Sequence, residues 1–326
     1  MHTTPSTAPE TGVEHAASES PPAPEVGVAI VTYNSAEHIP DLLSTLSGAL
    51  EGIPHRVVVA DNDSADDSVR LLDDAGIEVV RMGGNLGYSA GLNAGLRRLS
   101  DARAVLILNS DMKLGPGSIQ ALLGALEDPR VGIVAPQTRS FAGSLGLSQR
   151  RDPTLLRAFG ASLLGGRYSR RWAALSDFVA DEQSYLHACN IDWGVGSMLL
   201  VRRECIEAVG EWDESFFLYS EEIDYCQRAR RMGFLVRYEP SAVVYHEGGG
   251  GVQNPRLRSM MVVNKVRLYH RHHGTVRSFL YWVAEMLNES TRGLGGNRAA
   301  RAAAVSLLVP SRRPPEISCS TSLLPR

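Results

Sequence analysis

The residue that first suggests chemistry is Asp111. The apolar run "AVLIL" ends in Asn109, Ser110 and Asp111, then gives way to the Gly/Pro turn "LGPGS". A carboxylate there could hold Mg²⁺ or Mn²⁺, which commonly take one or two protein carboxylates and complete their shell with substrate phosphates and water. A second candidate is His246, which closes "AVVYH" just before Gly248 to Gly251. Imidazole suits Mn²⁺, and a glycine run lets backbone approach a ligand closely. Each residue has a plainer reading as well: a strand-end Asp caps turns and helices, and a lone His is often structural.

Further acids follow the same logic. Asp61, at the end of "HRVVVAD", could accept hydrogen bonds from a ribose or a base, or could cap the next helix with Asp63. The functional reading is preferred because Ser64 can supply that cap. Glu221, Glu222 and Asp224 follow the aromatic run "SFFLYS" where a helix begins. Acids in a first turn complement the helix dipole. A partly desolvated one could instead act as a general base, with like-charged neighbours raising its pKa. Local chemistry leaves both readings open.

These residues need a scaffold, and the spacing predicts one. Strands "VGVAIVTYN", "HRVVVADND", "IEVVRM", "AVLILNSD" and "VGIVAP" alternate with helices ending near Leu50 and Gly76 or spanning "SAGLNAGLRRL" and Ile119–Leu126. The first helix has Asn34 or Ser35 as its cap, the second Ser64 with Asp67 three positions on. Alternation with near-continuously apolar strands predicts an α/β fold with a mostly parallel sheet flanked by helices. Such sheets bind ligands at the carboxyl ends of their strands. Beyond Pro136, residues 140–180 read as irregular and basic, with Arg150, Arg151, Arg157, Arg167, Arg170 and Arg171. Order returns from Ile191, and two basic amphipathic helices follow Asn254.

Composition narrows the class. At 326 residues, 44% hydrophobic and 21% charged, with net charge −3, the chain reads as soluble and globular, and nothing favours nucleic acid as a partner. Four cysteines (Cys189, Cys205, Cys226, Cys319) without a C-x-x-C pair suggest reduced thiols in the cytoplasm. No apolar run reaches membrane-span length, and no signal-peptide pattern opens the chain. Residues 1–25 and 311–326 read as disordered tails.

The ordered segments "VAIVTYN", "VVVADNDSADDS", "NLGYSAGLNAGL", "LILNSD", "WGVGSMLLVRRECIEAVGEWDESFFLYSEEIDYCQRARRMG" and "VVYHEGGG" resemble inverting family 2 glycosyltransferases of the GT-A fold, and more narrowly their bacterial rhamnosyltransferase branch. The resemblance covers 26–251 and implies a nucleotide-binding half (26–136) and an acceptor and catalytic half (137–251), followed by a basic helical region at 252–310. It implies a nucleotide-diphosphate sugar donor, dTDP-rhamnose by that branch, a divalent cation, and displacement with inversion. By position, Thr32, Tyr33, Asn34 and Asp61 would surround the nucleoside, and Asn85, Gly87 and Asn93 would line the donor pocket. Asn109, Ser110 and Asp111 occupy the place of the D-x-D motif, and His246 that of the distal metal-contacting histidine. Trp193, Gly194 and Asp213 fall where acceptor and donor sugar meet, and Glu222 falls at the general base.

Two departures matter. Asn109 replaces the first acid of D-x-D and brings a hydrogen bond without charge. Glu222 is one methylene longer than the usual Asp, which keeps Asp224 in view; residues at i and i+2 do not share a helix face, and Glu222 is preferred. The basic segments at 140–171 and after Asn254 suggest anionic lipid. With the resemblance they imply a peripheral enzyme at the inner face of the plasma membrane, possible self-association, and a polyprenyl-diphosphate-linked N-acetylglucosamine or similar acceptor. His270, His272 and His273 belong to that basic face. The rival class is a nucleotide-sugar-binding module without catalysis. A dehydrogenase is disfavoured because "TYN", not G-x-G-x-x-G, follows the first strand. A nucleotidyltransferase is disfavoured because no glycine-rich basic loop stands there.

Overall fold

A computed structural model describes residues 25–246 and 253–317. The first tail, the glycine run after His246 and residues 318–326 lie outside the described residues. In chain order the nucleotide half comprises β1 (Val26–Thr32), α1 (Ile39–Ala49), β2 (His55–Asp61), α2 (Ser68–Asp74), β3 (Glu78–Arg81), α3 (Tyr88–Arg98), β4 (Ala104–Asn109), β5 (Met112–Leu114), α4 (Ser118–Ala125) and β6 (Val131–Arg139). Then come β7 (Gln149–Arg150), α5 (Leu155–Leu164), α6 (Gly166–Ser169), β8 (Cys189–Asn190), β9 (Trp193–Gly194), β10 (Met198–Arg202), α7 (Arg203–Val209), α8 (Glu221–Arg231) and β11 (Leu235–His246). Three helices finish the chain: α9 (Pro255–His272), α10 (Thr275–Leu294) and α11 (Arg298–Leu308).

The main sheet runs β3-β2-β1-β4-β10-β6-β11-β5, with β8 on β11. β3, β2, β1 and β4 are mutually parallel, and β11 is parallel to β6. β10 enters antiparallel between β4 and β6, and β5 is antiparallel to β11. Both faces are covered, which is why β1 is buried at every position. Val26, Val28 and Ile30 join α1 and α4 in one core, while Ala29 and Val31 join α3, α7 and α8 in the other. Each such fully buried aliphatic side chain stabilises by roughly 1.5–3 kcal/mol, and slipping the register by one residue would exchange the faces.

Several local expectations are corrected. α1 begins at Ile39 with no side-chain cap, and Ser35 contributes its carbonyl to His38 and Ile39 N–H instead. Ser64 caps no helix: its N–H and hydroxyl both donate to Asp61, and α2 starts at Ser68, whose N–H is held by Asp66. Residues 140–180 are not irregular throughout, since Thr154 caps the ten-residue α5 through Arg157 N–H. The C-terminal tail begins later than residue 311: Ile317 is buried against α9–α11. Among the described residues, no helix is long and apolar enough to cross a membrane.

Candidate active site

The parallel register delivers the first row of polar residues. Thr32 lies opposite Asp61 and Val31 opposite Asn109, so β1, β2 and β4 end together at one edge. Asp61 is buried and saturated from within, accepting Thr32 Oγ1 at 3.0 Å and Ser64 N at 2.9 Å. Asn34, in the left-handed region at φ 51°, accepts Ala65 N–H on its Oδ1 and donates its own N–H to Ser64 Oγ. The loops after β1 and β2 thus form one hydrogen-bonded wall. Tyr33 projects from it half-exposed, the geometry of a platform for a base.

The candidate metal corner is built by β5 and β11. Their antiparallel register sets His246 opposite Met112, which brings His246 Nε2 to 3.1 Å from Asp111 Oδ2. Burial works to raise the Asp111 carboxyl, and the hydrogen bond and charge of His246 overcome it, so its pKa lies below the ordinary range. Asp111 Oδ1 and Asn109 Oδ1 are buried without a protein partner among the described residues. An orphaned carboxylate oxygen beside an imidazole fits a hard divalent cation that draws its other ligands from phosphate and water. Ser110 Oγ donates to Ser35 Oγ at 2.9 Å, tying this corner to the nucleoside wall.

The candidate base corner is the start of α8. Phe217, Tyr219 and Ser220 all adopt positive φ (60°, 70° and 78°), a costly run for residues with a Cβ. It turns the chain so that Glu221 and Glu222 open the helix. The strain is held from outside. Buried Asn264 of α9 donates its amide to the carbonyls of Phe216, Leu218 and Tyr219 (2.6, 2.9 and 3.3 Å). Gly87, at φ 96°, has no room for a side chain, since a Cβ would stand 2.7 Å from Phe217 O. Asn85 holds its N–H, Asn62 its carbonyl, and the next N–H, from Tyr88, reaches Phe217 O at 2.6 Å.

Burial, then the charge of Glu222, pushes the Glu221 carboxyl up to about 8. Glu222 is raised too, by burial, and the guanidinium of Arg150 works against that rise. Arg150 is clamped over Phe178 at 3.4 Å and Trp193 at 5.3 Å. Each glutamate keeps one buried oxygen without a protein partner among the described residues. Tyr88 connects the two corners: burial raises its phenol well above the usual value, and the charges of Glu221, Glu222 and Asp111 add to it. Its hydroxyl donates to Gly196 O at 3.4 Å, and a Cβ on Gly196 would come within 3.0 Å of Glu222 Cβ.

Five expected site residues are placed elsewhere. Asn93 is buried behind the site, gripping Trp212 through its carbonyl and N–H and bonding Glu214. Asp213 caps the turn at Ser215 and pairs with Arg271. Trp193 is a buried wall whose Nε1 donates to Arg151 O, and Gly194 packs under Ala135. The glycine that meets the candidate base is Gly196. Asp224 is buried against Arg228 at 2.7 Å, with its carboxylate committed to that pair. Asn264 was missed, because one polar residue in the apolar run "MMVVNKV" carries no sign of three carbonyls contributed from another segment.

A family model described as "Glycosyl transferase family 2" matches residues 27–205. The chain belongs to that family. It is therefore a glycosyltransferase, and its sheet and flanking helices are the GT-A fold. An N-acetylglucosaminyl-diphospho-decaprenol L-rhamnosyltransferase of Mycobacterium tuberculosis (strain CDC 1551 / Oshkosh) is 32% identical over 78% of this chain and 87% of its own length. The rhamnosyltransferase WbbL of Escherichia coli (strain K12) is 25% identical over 68% of this chain and 83% of its own. The mannosyltransferase PcManGT from Pyrobaculum calidifontis, solved with GDP-Man and Mn²⁺, superposes with a TM-score of 0.56 at 18% identity, covering 87% of this glycosyltransferase and 75% of that chain. GalNAc-T7, solved with UDP, GalNAc and Mn²⁺, gives 0.54 at 15% identity, covering 76% and 48%.

Proposed function

We propose that the enzyme transfers rhamnose, with inversion, from dTDP-rhamnose to a hydroxyl of a polyprenyl-diphosphate-linked N-acetylglucosamine or similar acceptor at the inner face of the plasma membrane. The observation that carries the chemistry is a pair of corners: Asp111 and His246 in contact at 3.1 Å, and Glu222 packed against Gly196, whose carbonyl accepts the partly buried Tyr88 hydroxyl. A donor anchored at the first corner would present its anomeric carbon to an acceptor hydroxyl at the second. The names of the Mycobacterium tuberculosis and Escherichia coli relatives support rhamnose, and the former supports the lipid-diphosphate acceptor.

In this reading Tyr33 and the Asn34–Asp61 wall receive the nucleoside, with Asn85, Gly87 and Ser110 along the floor. Asn109 Oδ1, buried and unpartnered, accepts from a donor hydroxyl. Asp111 and His246 hold the Mg²⁺ or Mn²⁺, which when bound offsets charge on the departing diphosphate. Glu222 takes the proton of the attacking hydroxyl. A carboxylate raised by burial is a stronger base than a solvated one, and the Arg150 guanidinium opposes that rise. Beside it, burial and the charge of Glu222 push the Glu221 carboxyl up to about 8. The strained loop, pinned by Asn264, fixes the base in line with the donor. A panel of nucleotide sugars against a lipid-diphosphate N-acetylglucosamine acceptor tests the assignment: transfer from dTDP-rhamnose alone is expected, and equal or better use of another sugar would replace it.

A further inference from the structure

Helix α10 packs Tyr281 and Ala284 into the core yet also leaves an apolar stripe in solvent. Its buried face carries the acids: Glu289 meets Arg258 at 2.6 Å with both side chains 2% exposed, and Glu285 meets Lys265 at 2.7 Å. Its solvent face carries the stripe Val276, Phe279, Leu280, Leu287 and Leu294, of which Val276 and Leu294 are 72% and 88% exposed. At 100° per residue, Val276, Leu280, Leu287 and Leu294 fall within about 40° of one line. Helix α5 packs along α10 and exposes Leu156 and Leu163, and Tyr168 and Trp172 stand exposed just beyond it. A water-facing helix normally has the opposite pattern.

We propose that this face is the surface by which the enzyme lies on an anionic bilayer, inserting the α10 stripe into the acyl boundary. Charge selects the occupant. Residues 253–317 hold eleven lysines and arginines against three glutamates. All three glutamates are taken, Glu285 by Lys265, Glu289 by Arg258 and Glu316 by Arg256, while Arg277, Arg298 and Arg301 stay exposed. A second copy docking by the same face would bring like charge onto like charge; an anionic lipid surface meets it with the opposite sign. Aromatic residues such as Tyr168 and Trp172 favour the headgroup level.

The site assigned here differs from what the sequence suggests. Arg150 is clamped between Phe178 and Trp193, Arg151 donates to Phe178 O and Arg157 to Asp152 O, so those arginines serve the protein interior. The membrane face is an apolar stripe on a segment of net positive charge, and its binding should resist salt in part. Phe217 and Tyr219, from the strained loop before the candidate base, pack into the same apolar cluster as α9 and α10. The inference deepens the proposed function and rests on its lipid-linked acceptor.

The test is co-sedimentation of the full-length enzyme with phosphatidylglycerol–phosphatidylcholine vesicles, with pure phosphatidylcholine vesicles as the comparison, at low and high salt. The wild type should pellet with the anionic vesicles and be only partly released by salt. The double variant L280E/L287E should bind at least ~10-fold more weakly, given ~1.5–3 kcal/mol per buried leucine. Its thermal unfolding and its transfer to a water-soluble diphosphate–N-acetylglucosamine analogue should be unchanged. That soluble assay separates the two readings: loss of vesicle binding alone concerns the face, and loss of transfer by the wild type concerns the function. Equal pelleting of variant and wild type, or none by either, overturns the inference. So does sedimentation velocity that shows a wild-type dimer split by the substitutions without any lipid binding.

Discussion

His246 Nε2 lies 3.1 Å from Asp111 Oδ2, across 135 residues of sequence, because β11 and β5 pair with His246 opposite Met112. A three-residue strand therefore assembles the metal corner. Removing either partner should break it. We expect Asp111→Ala and His246→Ala each to lower turnover on the order of 10²–10³-fold, the range for losing one electrostatic stabiliser of a developing charge. Turnover titrated with Mn²⁺ checks this, since the variants should also need more metal to reach their residual rate. Wild-type turnover at wild-type metal levels in Asp111→Ala would remove the carboxylate from the mechanism.

The glutamate pair predicts a pH signature in stability. Burial and the charge of Glu222 raise Glu221 to about 8 in the folded enzyme, while an unfolded glutamate titrates near ~4.3. The folded state then binds the proton more tightly. That stabilisation is fully present below the unfolded value and is lost as pH rises through about 8. Glu221→Gln should therefore raise Tm relative to wild type at pH 8, with the gain shrinking toward acidic pH. Melting curves across that range decide it, and a constant difference at every pH would contradict the buried-acid assignment.

Asn264 predicts a catalytic effect from outside the pocket. Its amide holds three carbonyls of a loop containing three residues at positive φ. Asn264→Ala should cost about 1–3 kcal/mol of stability through the bonds left unmade. It should also lower kcat well beyond any change in donor KM, because the loop places the base and not the nucleoside. A variant that loses stability with unchanged kcat would reduce Asn264 to a structural clamp.

The nucleotide half was largely legible because its determinants are local. Continuous apolar runs mark strands buried on both faces, and their polar ends fall at one edge whatever the exact register. Asp111 and His246 were each visible as strand ends, but nothing between them in sequence announces the β5–β11 pairing. Asn93 reads as a pocket residue in "GLNAGL", yet α3 turns it to the back, where the Trp212 backbone needs both a donor and an acceptor. Asp61 and Ser64 were assigned separate tasks and form one closed hydrogen-bonded unit. The exposed apolar stripe of α10 stayed hidden because an amphipathic sequence does not say which face turns inward. Arg258 and Lys265 on α9 decide that, by pairing with Glu289 and Glu285.

The central claim is that Glu222 acts as the base on an acceptor while the donor is held at Asp111. Its most direct test compares Glu222→Gln with Asp224→Asn in two assays, donor binding by calorimetry and transfer to the lipid-diphosphate acceptor. Glu222→Gln should bind donor as the wild type does and lose transfer by about 10²–10⁴-fold, the usual contribution of a positioned base. Asp224→Asn should lose stability through its pair with Arg228 and keep most of its transfer. Near-normal transfer by Glu222→Gln, with the loss falling on Asp224→Asn instead, would contradict the account.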